Sequence, residues 1–171
     1  MTGKTLYFAY GSNLSTARMH VWNPNAIRCG IGKLNDYVVD FLVYSKIWKG
    51  CAGTIVPKKG SHVWGVIWEL KDEDLKNLDW QEGVHVNIYE PITVTVETPE
   101  GKLVECLTYQ QVRCESEDTL EYMPELKPSP AYLNTMVRGA VESKIPLDYI
   151  NFIKDTPTND SNIEPNLRDE Y

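Results

Sequence analysis

The apolar positions change period several times along the chain, and each change marks an element. Residues 6–10 (Leu-Tyr-Phe-Ala-Tyr) form a compact apolar and aromatic run, the pattern of a buried strand. The run breaks into Gly11-Ser12-Asn13, and Ser15 and Thr16 then offer N-cap hydroxyls for a short helix through Ala17, Arg18 and Met19. Asn23-Pro24-Asn25 stops that helix. Three stretches rich in valine and aromatics, 37–44, 51–56 and 63–70, read as strands separated by glycine, proline and lysine. From Lys71 the period lengthens: Asp72-Glu73-Asp74 place acids in a first helical turn, Leu75 and Leu78 give an apolar stripe, and Gly83 sits where the helix ends. Ile92, Val94 and Val96 alternate with polar residues, and Pro99-Glu100-Gly101-Lys102 turns the chain into a second strand over 103–109, a hairpin. Pro128-Ser129-Pro130 opens a helix bearing Tyr132, Leu133, Met136, Val137 and Ala140 at helical spacing, and Pro146 opens another through Tyr149, Ile150 and Ile153.

This order predicts an α+β fold with a mainly antiparallel or barrel-like sheet rather than alternating parallel βαβ units. The whole chain, 1–171, reads as one domain, with a polar tail from about 155 expected to fray.

Composition narrows the function classes. The 42% hydrophobic and 24% charged residues are ordinary for a globular protein, and the formal net charge of −7 repels a nucleic-acid backbone, with no basic patch to offset it. Lys4 precedes only a short apolar run, too brief for a signal-peptide core or a membrane span, so a cytoplasmic protein without membrane contact is expected. Cys29, Cys51, Cys106 and Cys114 are irregularly spaced and read as reduced thiols, and His20, His62 and His85 lack ligand spacing, so neither a metal nor an organic cofactor is expected. Ser12 lacks the second glycine of a nucleophile elbow, and Lys58-Lys59-Gly60 lacks the phosphate-binding Gly-x4-Gly-Lys pattern. The Asn-x-Ser sequons at Asn13 and Asn159 carry no function without a secretory route.

Two places are left that could carry chemistry. Gly11, free to adopt positive φ, would let the strand end turn sharply and leave backbone N–H groups of Gly11 and Ser12 aimed outward for an anion or oxyanion. Taken alone, the junction reads first as a tight turn. Glu82, in Leu78-Asp79-Trp80-Gln81-Glu82-Gly83, sits at the negative end of a helix dipole, which raises its proton affinity and suits a general base. Taken alone, it reads first as a solvated glutamate beside a capping glycine.

Together, these two places resemble the γ-glutamylcyclotransferase family. The ordered signals are Tyr7 to Leu14, Val63-Trp64-Gly65-Val66, Leu78-Asp79 with Gln81-Glu82-Gly83-Val84, Pro128-Ser129-Pro130 before Tyr132, and Pro146-Leu147. The resemblance implies an enzyme that converts a γ-glutamyl amino acid to 5-oxoproline and the free amino acid without metal or organic cofactor, on a mixed, mainly antiparallel sheet closing into a small barrel flanked by helices, as a homodimer. It implies Glu82 as catalytic acid/base and Tyr7, Phe8, Ala9, Tyr10, Gly11, Ser12 and Tyr132 as substrate-binding, with Asn13 and Tyr89 in support. Relatives often carry glycine shortly before the tyrosine after the Glu-Gly pair, whereas Asn87-Ile88 precede Tyr89 here. Sister activities on glutathione or γ-glutamyl-lysine, and a non-catalytic interaction protein on the same fold, are the alternatives. Trp48, Trp64 and Trp68 fit either a dimer contact or the monomer core.

Overall fold

A computed structural model describes residues 3–112, 126–162 and 164. Five strands close into a barrel in the order β1-β3-β2-β4-β5, with β1 (Lys4–Ala9), β2 (Ile27–Ser45), β3 (Gly50–Lys71), β4 (Tyr89–Glu97) and β5 (Leu103–Gln111). Neighbouring pairs are antiparallel except at the seam, where β1 runs parallel to β5 at Tyr7 and Leu107. Among the described residues, four α-helices accompany the barrel: α1 (Thr16–Trp22), α2 (Asp72–Gln81), α3 (Pro130–Glu142) and α4 (Leu147–Lys154). The mixed, mainly antiparallel barrel is as expected from the sequence.

The expected strands 51–56 and 63–70 are one continuous strand, β3, and 37–44 is the second half of a longer β2. Pro57 and Gly60 mark an irregularity rather than a chain reversal. The register of β2 against β3 slips between Asn35 and Tyr37, where Asp36 takes φ 63°, and Gly60 opposite it takes φ 85° and donates its N–H to Asp36 Oδ1 at 2.9 Å. A bulge absorbs the proline and the left-handed residues without ending the pairing. The first half of β2, Ile27 to Asp36, escapes a periodicity reading because its glycines and charges break the alternation.

The helix boundaries follow their caps. Ser15 Oγ accepts from Arg18 N at 3.3 Å, Ser129 Oγ accepts from Tyr132 N at 3.2 Å, and Asp74 Oδ2 accepts from Lys71 N at 3.1 Å. Phe8, Leu14, Ile55, Trp68, Leu78 and Met136 are wholly or almost wholly buried, each contributing roughly 1.5–3 kcal/mol by burial. Trp48 belongs to the same core, so two of the three tryptophans serve the monomer interior. Helix α3 lies against the 3₁₀ turn Ser12–Leu14 that follows β1, close enough that a Cβ on Gly139 would stand 2.2 Å from the Leu14 carbonyl carbon. That contact fixes the strand-end junction from behind.

The tail is held at least through 161: Asn159 donates its backbone N–H to Pro128 O at 3.0 Å and its side-chain amide to Lys49 O at 2.8 Å. The expected fraying from 155 is corrected over this stretch. Cys114 and most of the acidic C-terminal segment lie outside the described residues. Cys29, Cys51 and Cys106 form no disulfide among the described residues, and no helix among them is long and apolar enough to cross a membrane.

Candidate active site

The strand-end junction and the end of α2 meet. A small cavity is lined by Tyr7, Tyr10, Gly11, Ser12 and Asn13 from the end of β1 and the turn after it, and by Gln81 and Glu82 from the end of α2. Arg18 of α1, Gly53 of β3, Tyr89 of β4, Tyr109 of β5 and Tyr132 of α3 complete the wall. Residues distant in sequence are thus brought into one site, including every expected site residue except Phe8 and Ala9. Those two are fully buried in the core and line no part of the cavity.

Glu82 caps α2 as its sequence position suggests: its N–H donates to Leu78 O at 2.9 Å, and Gly83 follows in the left-handed region at φ 68°. Burial of the carboxyl raises its pKa from 4.5 to about 7; Arg18 works against the shift and Asp79, one turn earlier, adds to it. The residue keeps some exposed surface, so the carboxylate is enclosed by protein yet reachable from the cavity. Asn87 holds φ 58° shortly before Tyr89. Asparagine tolerates this left-handed conformation better than most other side chains.

The Gly-Ser-Asn junction differs from expectation in its mechanism. Gly11 has φ −107°, not a positive value, and its lack of a side chain serves close approach: a Cβ there would stand 2.6 Å from the Tyr132 hydroxyl. That hydroxyl accepts the Gly53 N–H at 2.9 Å. Trp48 and Phe41 stand edge-on to the Tyr132 ring at 5.0 and 6.2 Å between centroids and hold its orientation. Burial pushes the Tyr132 pKa up to about 12 and those of Tyr7 and Tyr10 well above the usual value. All three are protonated donors near neutral pH.

Supporting bonds tie the wall together. Tyr89 Oη donates to Gly53 O at 2.7 Å and accepts from Gln111 Nε2 at 2.9 Å, so it steadies the strand that feeds Tyr132. Tyr10 donates to Tyr109 O, and the Tyr109 hydroxyl donates to Asp79 Oδ1. Asn13 Nδ2 donates to the Tyr7 hydroxyl at 3.2 Å and to Glu82 Oε1 at 3.3 Å.

Arg18, Gln81, Gly53 and Tyr109 were not legible as site residues. Arg18 is buried on the inner side of α1 with its guanidinium 5.6 Å from the Trp48 ring centroid. An arginine beside Met19 on a seven-residue helix gives no sequence signal of burial. Among the described residues, no group of three or more His, Cys, Asp or Glu is placed to hold a metal ion.

Comparison with known proteins agrees with this geometry. The model of the AIG2-like family matches residues 62–153. A γ-glutamylcyclotransferase from Bos taurus is 40% identical over 159 residues, covering 91% of this chain and 80% of the relative. One from Homo sapiens is 39% identical over 159 residues with the same two coverages. A solved γ-glutamyl cyclotransferase superimposes with a TM-score of 0.86 at 36% identity, covering 95% of this chain and 94% of that one. A glutathione-specific yeast cyclotransferase, at 12% identity and TM-score 0.59, shares the fold alone. Identity of this extent over nine-tenths of the chain means that the chain belongs to the γ-glutamylcyclotransferase family.

Proposed function

We propose that this protein converts a γ-glutamyl amino acid into 5-oxoproline and the free amino acid, with Glu82 as the group that accepts and returns a proton. The observation that carries the reading is the Glu82 carboxyl, raised to about 7, sharing one cavity with the strand-end loop and a buried arginine. A γ-glutamyl compound contains its own nucleophile: its α-amine reaches the γ-carbonyl to close a five-membered ring, so no serine or cysteine is needed. The α-ammonium, with a pKa near 8, must first lose a proton. An ordinary glutamate is too weak a base for that transfer, whereas one raised to about 7 nearly matches it.

Attack of the amine on the carbonyl carbon forms the new C–N bond and moves the π pair onto oxygen. The Tyr132 oxygen already accepts the Gly53 N–H, which leaves its O–H to donate toward that oxyanion. Collapse of the intermediate breaks the original C–N bond, and the departing nitrogen takes the proton held by Glu82. The ring nitrogen gives its second proton to the carboxylate so regenerated and becomes the lactam N–H. That proton then passes to the freed amine, leaving Glu82 ionised again. Arg18 supplies a positive charge on the wall where the substrate's α-carboxylate lies. Tyr7, Tyr10 and the Gly11-Ser12 backbone shape the same wall, with Asn13 and Tyr89 behind it.

The direct test incubates purified protein separately with γ-glutamyl-alanine, glutathione and γ-glutamyl-lysine and measures 5-oxoproline. Turnover is expected with γ-glutamyl-alanine and is lost in Glu82→Gln. Release from glutathione alone would move the reading to the sister activity, and no product from any of the three would favour the interaction-protein alternative. A homodimer in a reducing, cytoplasmic compartment belongs to the same proposal. The three described cysteines, none of them in a disulfide among the described residues, fit that compartment, and sedimentation of the purified protein tests the dimer.

A further inference from the structure

A chain of buried side-chain amides runs from the end of α1 to the base. Asn23 Nδ2 donates to Gln81 Oε1 at 3.3 Å, Gln81 Nε2 donates to Asn13 Oδ1 at 3.1 Å, and Asn13 Nδ2 donates to Glu82 Oε1 at 3.3 Å. All three amides are buried, Asn23 completely. An amide has a donor end and an acceptor end, so each link in such a chain dictates the direction of the next. Because Gln81 presents its donor to Asn13 Oδ1, the Asn13 oxygen is turned away from Glu82 and its NH₂ group faces the carboxylate and the Tyr7 hydroxyl. The opposite orientation would aim a carbonyl oxygen at a carboxylate oxygen across a hydrogen-bond distance.

The surroundings leave little else for the relay to do. Trp68 Nε1 donates to Asn13 O at 3.0 Å and fixes the backbone of that residue, so the side-chain torsion is what Gln81 controls. At the far end, Asn23 Oδ1 is buried with no hydrogen-bond partner among the described residues. A buried acceptor left unpaired carries a stability cost. An amide retained at that cost is accounted for by what its other end holds in place.

We propose that Gln81 and Asn23 are positioning residues that lock the Asn13 amide with its NH₂ group toward Glu82, orienting the carboxylate and favouring its ionised, proton-accepting form. This inference rests on the reading of Glu82 as the base and adds the device that sets its donor. Besides Asn13, Glu82 faces Arg18 from α1, Asp79 on α2, Tyr7 and Tyr10 from β1, Tyr109 from β5 and Tyr132 from α3. Gln81→Met leaves all of these in place, keeps the side chain's length and deletes both ends of the amide.

The test titrates the Glu82 carboxyl by infrared difference spectroscopy in substrate-free protein, the band being assigned by its loss in Glu82→Gln. The pH profile of kcat/KM with γ-glutamyl-alanine is recorded alongside. Loss of one hydrogen bond to the charged form should raise the midpoint by about one pH unit in Gln81→Met, with kcat falling more than KM changes. In an Asn13→Ala background the same substitution should produce no further shift, because its effect passes through Asn13. An unmoved midpoint in folded Gln81→Met, whatever its melting temperature, overturns the proposal, as does a full shift that persists without Asn13. If Gln81→Met does not fold, Asn23→Ala is titrated in its place, and a rise or no change decides in the same way. Absence of 5-oxoproline from the unsubstituted protein would sink the functional reading, yet the substrate-free titration would still decide the relay.

Discussion

The cavity at Glu82 and the cleft between α4 and β2 differ in opposite directions on size and polarity. The cleft, lined by Val39, Phe41, Met136, Tyr149, Phe152 and Ile153 among others, is the roomier of the two. Size alone would favour the cleft. The smaller cavity instead gathers a buried carboxyl, a buried guanidinium and five tyrosines, with a perturbed carboxyl pKa at its centre. Convergent titratable groups, whose burial costs stability, identify a reaction site better than volume does.

The largest expected effect separates the two regions outright. Glu82→Gln should lower 5-oxoproline formation by about 10²- to 10⁴-fold, the usual range for loss of a general acid/base. In the unsubstituted protein, kcat/KM should rise with pH through a midpoint near 7, since only ionised Glu82 accepts the α-ammonium proton. The same residue makes an opposite prediction for stability. Its folded pKa, about 7, lies above the unfolded value of 4.5, so the native state binds the proton more tightly and loses stability as pH rises between these values. Relative to Glu82→Gln, the unsubstituted protein should be equally stable near pH 4, with a deficit growing to roughly 2–3 kcal/mol above pH 8. Chemical denaturation of both proteins across that range measures it. An unchanged gap would mean that the carboxyl is not desolvated.

Next in size is Gly11→Ala. The added methyl meets the Tyr132 hydroxyl at 2.6 Å, and either the strand end or the α3 tyrosine must move. Misplacement on that scale should reduce kcat/KM about 10- to 100-fold. Removing the obstructing oxygen with Tyr132→Phe should restore the lost stability in the double variant, though not the activity if that hydroxyl donates to the oxyanion. Recovery of full activity in the double variant would leave Tyr132 only a packing role.

These two sites also show what a sequence can reveal. Both Gly11 and Glu82 lie where local physics is abrupt, a strand meeting glycine and a helix ending in an acid. Such local breaks are visible without the fold. Arg18, Gln81, Gly53 and Tyr109 have no such signal, because their importance comes from what the barrel and α1 place beside them. Gly11 was legible for a reason the structure replaces: close approach to Tyr132, not a positive φ. The barrel was legible from strand pattern and order, whereas the continuity of β3 through Pro57 was hidden because a bulge and a turn use the same residues.

The smallest expected effect comes from the larger cavity. Phe152 is 56% exposed and rests on Tyr149, with 6.0 Å between ring centroids, on the side of α4 that borders the cleft. Phe152→Ala should change kcat/KM for γ-glutamyl-alanine by less than about twofold and stability by less than about 1 kcal/mol, because a half-exposed ring gives up little buried area. None of the groups that face Glu82 belongs to α4, so no charge or donor at the base changes with it. A tenfold loss with an unaltered melting temperature would show that the cleft communicates with the reaction site. The contrast between a polar site that reacts and an apolar one that does not would then have to be abandoned.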